Sequence, residues 1–114
     1  MVGNPIAVYG PVQVVVDGAT QVFDASSGGY FSWTLGASRT MTAPANPPNG
    51  CQIIIEVVQD ATGLRLVTWP ASFSWAGGTA PTLSTAANSV DVLNGNYNAT
   101  TGKWRMRLFG AAFA

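Results

Sequence analysis

The stretch CQIIIEVVQDATGLRLVTW, residues 51–69, decides the fold. Over residues 51–59 the chain alternates: Ile53, Ile55 and Val57 face one way, while Gln52, Ile54, Glu56 and Val58 face the other. A side-chain period of two is that of a β-strand. Both faces are largely apolar, which predicts a central strand covered on both sides. Asp60-Ala61-Thr62-Gly63 then reads as a turn, with Gly63 suited to left-handed backbone. Residues 64–69 are expected to return as the antiparallel partner of a hairpin.

The same alternation extends outward. Residues 103–109 place Trp104, Met106 and Leu108 inward and Lys103, Arg105 and Arg107 outward. Their expected partner is residues 90–97, joined through Asn98-Ala99-Thr100-Thr101-Gly102. Residues 30–35 put Phe31, Trp33 and Leu35 on one face, and residues 39–42 continue beyond the turn Gly36-Ala37-Ser38. Pro44, Pro47 and Pro48 remove ladder donors, so residues 43–50 read as a rigid connection. The valine-rich residues 12–16 lie between Pro11 and the Asp17-Gly18 turn signal. They read as an edge segment able to pair within its own sheet or with a neighbour's.

No stretch carries a helical period. Short strands punctuated by glycine and proline predict an all-β fold, a single-domain antiparallel β-sandwich of jelly-roll-like form. Residues 1–20 are expected to serve as an anchoring N-terminal arm and residues 21–114 as the sandwich.

A chain of 114 residues is one domain. Only 9% of its residues are charged, against about 25% in an ordinary soluble domain. Five basic and five acidic side chains cancel. Such a surface is weakly protected against association, which suits a protein packed against copies of itself or a partner. No basic excess marks a nucleic-acid partner. No apolar run approaches the ~20 residues of a membrane-spanning helix. The first residues lack the positive start of a signal peptide, so Met1 reads as the true start of a cytoplasmically made protein.

The inventory for chemistry is thin. The chain has no histidine, and its lone Cys51 reads as a buried, inert thiol. Its acids are Asp17, Asp24, Glu56, Asp60 and Asp91. Asp17 and Asp60 fall in turns, where aspartate bonds its own backbone. Glu56 is the one candidate for a perturbed carboxylate, expected to pair with Arg65 or Arg107 or to lie at a subunit contact. No catalytic residue, cofactor site or metal-ligand set is expected. Asn98-Ala99-Thr100 matches a glycosylation acceptor but reads as part of a turn.

The aromatics are the remaining candidates. Trp33 and Trp104 fall at inward positions and belong to the core. Trp69 precedes Pro70, and Trp75 precedes Ala76-Gly77-Gly78, so both are expected near a sheet end, partly exposed, for contact with a partner or ligand. Ile6, Val8, Tyr9 and Val12 of the arm, with Phe109 and Phe113 of the apolar C-terminal tail, complete the expected contact set.

Three quoted runs carry a resemblance: TLGASRTMTAPANP (residues 34–47), QDATGLRLVTW (59–69) and GGTAPTLSTAANSVDVL (77–93). Together they resemble a module of bacteriophage virion proteins, above all tail fibres and head decoration proteins. The resemblance covers roughly residues 20–109, with GGTAPTLST its most specific piece. It implies a β-structured virion component, assembled in the host cytoplasm and homo-oligomeric, a trimer before a dimer. It implies structural or adhesive work and carries over no catalytic residue. The module is nearly the whole chain, without a long shaft, which suits a capsid decoration or cement protein bound to the major capsid protein or another virion protein. The alternative is a small tail-fibre or receptor-binding module, and under that alternative alone a host glycan is a partner.

Overall fold

The computed structural model describes residues 11–113. In chain order its strands are β1 (Gln13–Val14), β2 (Thr20–Gln21), β3 (Tyr30–Leu35), β4 (Arg39–Met41), β5 (Gln52–Gln59), β6 (Val67–Thr68), β7 (Phe73–Trp75), β8 (Val90–Asn98) and β9 (Lys103–Phe113). One 3-10 turn, Ala76–Gly78, follows β7. A six-stranded sheet has the order β1-β3-β5-β8-β9-β7, and a three-stranded sheet the order β2-β4-β6.

Successive strands from β1 to β6 alternate between the two sheets, and each of β1 to β4 pairs in parallel with the strand two further on. The chain is therefore wound as a short coil. A parallel pair needs a long crossover, and here the crossover passes through the other sheet instead of through a helix. Gln13 lies opposite Phe31, and Phe31 opposite Ile55. A further parallel bridge, Asp24 to Ala45, stacks the corners of consecutive turns. The antiparallel pair β8 and β9 extends the large sheet, with β8 on the free side of β5, and β7 pairs in parallel on the far side of β9.

The alternation read from the sequence sets what is inside. Phe31, Trp33, Leu35, Ile53, Ile55, Val57, Leu93, Trp104 and Met106 of the large sheet are buried against Phe23, Met41 and Leu83. Phe23 packs on Phe31 and, edge-on, on Trp33 at 5.5 Å. The core is aromatic because a chain this short must bury large area per residue.

Carboxylates hold the corners. Asp17 accepts hydrogen bonds from Trp33 Nε1 at 2.9 Å, from Gly36 N at 2.9 Å and from Arg39 Nη2 at 2.6 Å. It thereby ties the first turn of the coil to the second. Partial burial works against its ionisation, but the hydrogen bonds from Arg39, Gly36 and Trp33, with the Arg39 charge, outweigh it and lower the pKa. Asp60 accepts from Thr62 N, Gly63 N and Arg65. Asp91, fully buried, accepts from Ser84 N at 2.7 Å and Ala112 N at 2.8 Å, holding the loop before β8 to the last strand.

The all-β, two-sheet expectation stands, and the β8–β9 hairpin is where the alternation placed it. The pairing is otherwise corrected: the large sheet is mixed and the small sheet parallel, not antiparallel throughout as in a jelly roll. The hairpin expected at residues 51–69 does not form. A strand has two ladder edges, and those of β5 belong to β3 and β8. Gly63 (φ 73°) and Leu64 (φ 63°) both take left-handed backbone and swing the chain away, so β6 joins β4 in the small sheet. The expected second cover over β5 is also absent among the described residues: Ile54, Glu56 and Val58 are only half-buried. Residues 12–16 pair within their own sheet, through β1 on β3. The rest of the expected arm, residues 1–10, lies outside the described residues.

Two outcomes test this wiring. A Cβ at Gly63 would lie 2.5 Å from the Thr85 carbonyl oxygen, on backbone of positive φ. Gly63→Ala should therefore cost more than about 2 kcal/mol, lowering the melting temperature by roughly 10 °C in a circular-dichroism melt. The depressed Asp17 pKa means its contribution is fully present above the ordinary value of 3.8 and is lost as pH falls through the lower folded value. Asp17→Asn should lose about 1–2 kcal/mol at neutral pH, with the gap to the parent closing in strong acid in urea titrations.

Candidate functional site

The outer face of the six-stranded sheet is the candidate site, and register builds it. Because Trp104 and Met106 point into the core, Arg105 and Arg107 between and beyond them point out. On β8, Asn94 and Asn96 take the same side. Asn96 lies opposite Arg105 and Asn94 opposite Arg107. Across β5, Gln52 lies opposite Asn96, and Ile54 opposite Asn94. Ser74 of β7 lies opposite Arg105 on its other side. One row therefore reads Gln52, Asn96, Arg105, Ser74, and the next reads Tyr30, Ile54, Asn94, Arg107.

The first row, with Asn94 and Arg107 of the second, lines a groove of about 320 Å³, walled at one end by Trp75 and Ala76 and floored by Gly95 and Met106. That is the size at which small-molecule clefts begin. Arg105 Nη1 donates to Ser74 Oγ at 3.0 Å, and Arg107 Nε donates to Asn94 Oδ1 at 3.0 Å. Asn94 also lines a neighbouring hollow of about 240 Å³, shared with Tyr30, Ile54, Val92 and Phe109. The two hollows thus place a polar, cationic half and an apolar half side by side on one face.

Glu56 lies beside the apolar half, where it accepts a hydrogen bond from the Tyr30 hydroxyl. That bond, with burial and the Glu56 charge, raises the Tyr30 pKa above its ordinary value of 10. The expected partners Arg65 and Arg107 are engaged elsewhere: Arg65 bridges Asp60 at 2.9 Å, and Arg107 holds Asn94. Asp17, Asp24, Asp60 and Asp91 each accept from backbone amides. Among the described residues no group of three or more acids or cysteine could hold a metal ion. Cys51 is half-buried against the core, and burial pushes its thiol pKa up, away from a reactive thiolate.

The contact residues expected from sequence separate into three places. Phe109 stands out from the sheet, 63% exposed, at an irregularity in the β8–β9 register that leaves it between Leu108 and Gly110. Phe113 folds its ring back over Gly110. Val12, with Val14 and Val16, forms an exposed apolar stripe at the β1 edge. Trp69 and Trp75 are half-buried, packed on the core and partly exposed as expected, edge-to-face at 5.3 Å and joined to Trp104 through Phe73. Trp75 still reaches the groove wall. Ile6, Val8 and Tyr9 lie outside the described residues.

Sequence reading missed the groove itself. Alternation places Arg105 and Arg107 outward but assigns Asn94, Asn96, Gln52 and Ser74 no role. One signal was available: counting back from the Asn98–Lys103 pair at the hairpin turn brings each asparagine opposite an arginine. Gln52 and Ser74 join only through pairings distant in sequence.

Residues 12–102 match a family model described as "Putative phage tail fibre C-terminal domain". No curated protein and no solved structure matches the chain.

Groove and core make different demands on stability. Trp75→Ala should cost about 2–3 kcal/mol by opening the Trp69–Phe73 cluster. Arg107→Ala, on an exposed position, should stay within about 0.5 kcal/mol of the parent in urea unfolding.

Proposed function

Because the chain belongs to the phage tail fibre C-terminal domain family and is a structural component of a bacteriophage virion, we propose that it works as a terminal adhesive module that contacts the host surface through the outer face of its six-stranded sheet. The observation that carries this reading is the groove between β7, β8 and β9, where amide, hydroxyl and guanidinium groups adjoin the hollow of Tyr30, Ile54 and Phe109. Sugars present hydroxyls at their rims and C–H groups on their faces, so a cleft with both kinds of lining suits a cell-surface glycan. The acids among the described residues are occupied in corners or, for Glu56, by Tyr30, which fits binding rather than turnover.

Capsid decoration is the second reading, and the feature favouring it is the valine stripe. Val14 and Val16 are 83% and 90% exposed, and β1 ends the order of its sheet. An apolar sheet edge is a place where a strand of another chain adds on. Under the adhesive reading the same edge joins copies of this chain into the homo-oligomer, or the chain to another virion protein.

Fluorescently labelled full-length protein should bind the phage's host cells and, in excess, slow adsorption of the intact phage. Gold-labelled antibody should decorate the tail end of the particle in electron micrographs. Label over the head lattice, with unchanged adsorption, would instead support decoration.

A further inference from the structure

Resting on the adhesive reading, we infer that the groove selects an acidic saccharide, one bearing a carboxylate or phosphate oxyanion, with Arg105 and Arg107 as its specificity-determining residues. The four arginines of the chain divide into two kinds. Arg39 and Arg65 are each spent on a corner, bridging Asp17 at 2.6 Å and Asp60 at 2.9 Å. Arg105 and Arg107 are exposed, and among the described residues neither is within ion-pairing distance of an acid. Their side-chain partners are neutral oxygens of Ser74 and Asn94.

Those neutral contacts orient the guanidiniums without neutralising them. Ser74 takes one Nη of Arg105, and Asn94 takes Nε of Arg107, leaving further N–H groups on each fork. The two side chains stand two residues apart on one strand, roughly 7 Å along it. A planar, fixed guanidinium matches the two oxygens of a carboxylate or phosphate, and a pair at this spacing reaches one oxyanion or two adjacent ones. In a chain with only five basic side chains and no net charge, two unneutralised cations beside one groove form a local positive field. The remaining walls suit the uncharged part of a sugar: Asn96 offers a carbonyl and an amide, and the Tyr30–Phe109 hollow begins at Asn94.

The oxyanion could be the carboxylate of a uronic acid or the phosphate of a phosphorylated sugar, and the experiment separates them. Isotope-labelled full-length protein is titrated with trigalacturonate, with a phosphorylated trisaccharide and with neutral maltotriose, followed by nuclear magnetic resonance. An acidic probe should shift the Asn94, Asn96, Arg105 and Arg107 resonances, and its affinity should fall as salt rises. Whichever acidic probe binds more tightly names the source. Arg105→Gln and Arg107→Gln should each weaken that binding by about 10-fold or more. Lys103→Gln removes a cation that donates to the Ala71 carbonyl and does not line the groove, so it should leave affinity unchanged. Unchanged amide spectra of the unliganded variants exclude misfolding as the cause.

Equal binding of maltotriose, indifferent to either arginine variant, would overturn the inference and leave the adhesive reading standing. An equal loss on Lys103→Gln would overturn it as diffuse charge attraction. If no probe binds while the labelled protein still adheres to host cells, the groove is not the acidic-sugar site. If adherence fails as well, both readings fall.

Discussion

Strand β5 has two backbone edges, and the use of both organises the molecule. One edge takes β3 in parallel, and the other takes β8 antiparallel. The first pairing continues a coil whose turns pass through the smaller sheet. The second stops the coil and hands the sheet to a hairpin. With both edges filled, the chain leaving β5 at Gln59 has nowhere to pair in that sheet. It turns through Gly63 and Leu64 and reaches β4 instead. Ile53, Ile55 and Val57 lie at the centre of the core for the same reason: they belong to the strand flanked on both sides.

That arrangement settles where polar groups are spent. A coil of short strands has many corners, and each corner leaves backbone amides needing acceptors. Asp17, Asp24, Asp60 and Asp91 supply them, with Arg39 and Arg65 neutralising two. Buried Gln59 does the same with an uncharged group, accepting from Arg65 N and donating to the carbonyls of Arg65 and Ser84. A protein with few charges thus commits most of its acids to architecture. What is left over for a surface is the outer face of the large sheet, where Glu56 is held by Tyr30 and the Arg105 and Arg107 guanidiniums, bonded to neutral Ser74 and Asn94, flank a groove.

The aromatic residues show how one residue type divides between core and surface. Trp33 and Trp104 occupy inward positions on long strands and are fully buried. Trp69 and Trp75 sit where strands are short, and their exposure is set by each other and by Phe73. Phe109 shares the outward parity of Arg105 and Arg107. It stands at the break in the β8–β9 register and lines the apolar hollow beside Asn94.

Local alternation was enough, from the sequence by itself, to determine the strand at residues 30–35, the central strand, the β8–β9 hairpin and the inward Phe31, Trp33, Leu35, Ile53, Ile55, Val57, Trp104 and Met106. These depend on side-chain period and on turns between near neighbours, which a single chain displays. Low charge, the absence of histidine and the lone cysteine likewise bounded the chemistry. Only the tertiary structure decided which strands pair across long separations, and hence that the large sheet is mixed, the small one parallel, and the chain wound as a coil. The turns of that coil differ in length, Gln13 facing Phe31 and Phe31 facing Ile55, so no fixed repeat betrays it. The groove followed the same division. Its asparagine–arginine pairs were implicit in the hairpin register, while Gln52 and Ser74 were brought to them by backbone hydrogen bonds between strands that are remote in sequence.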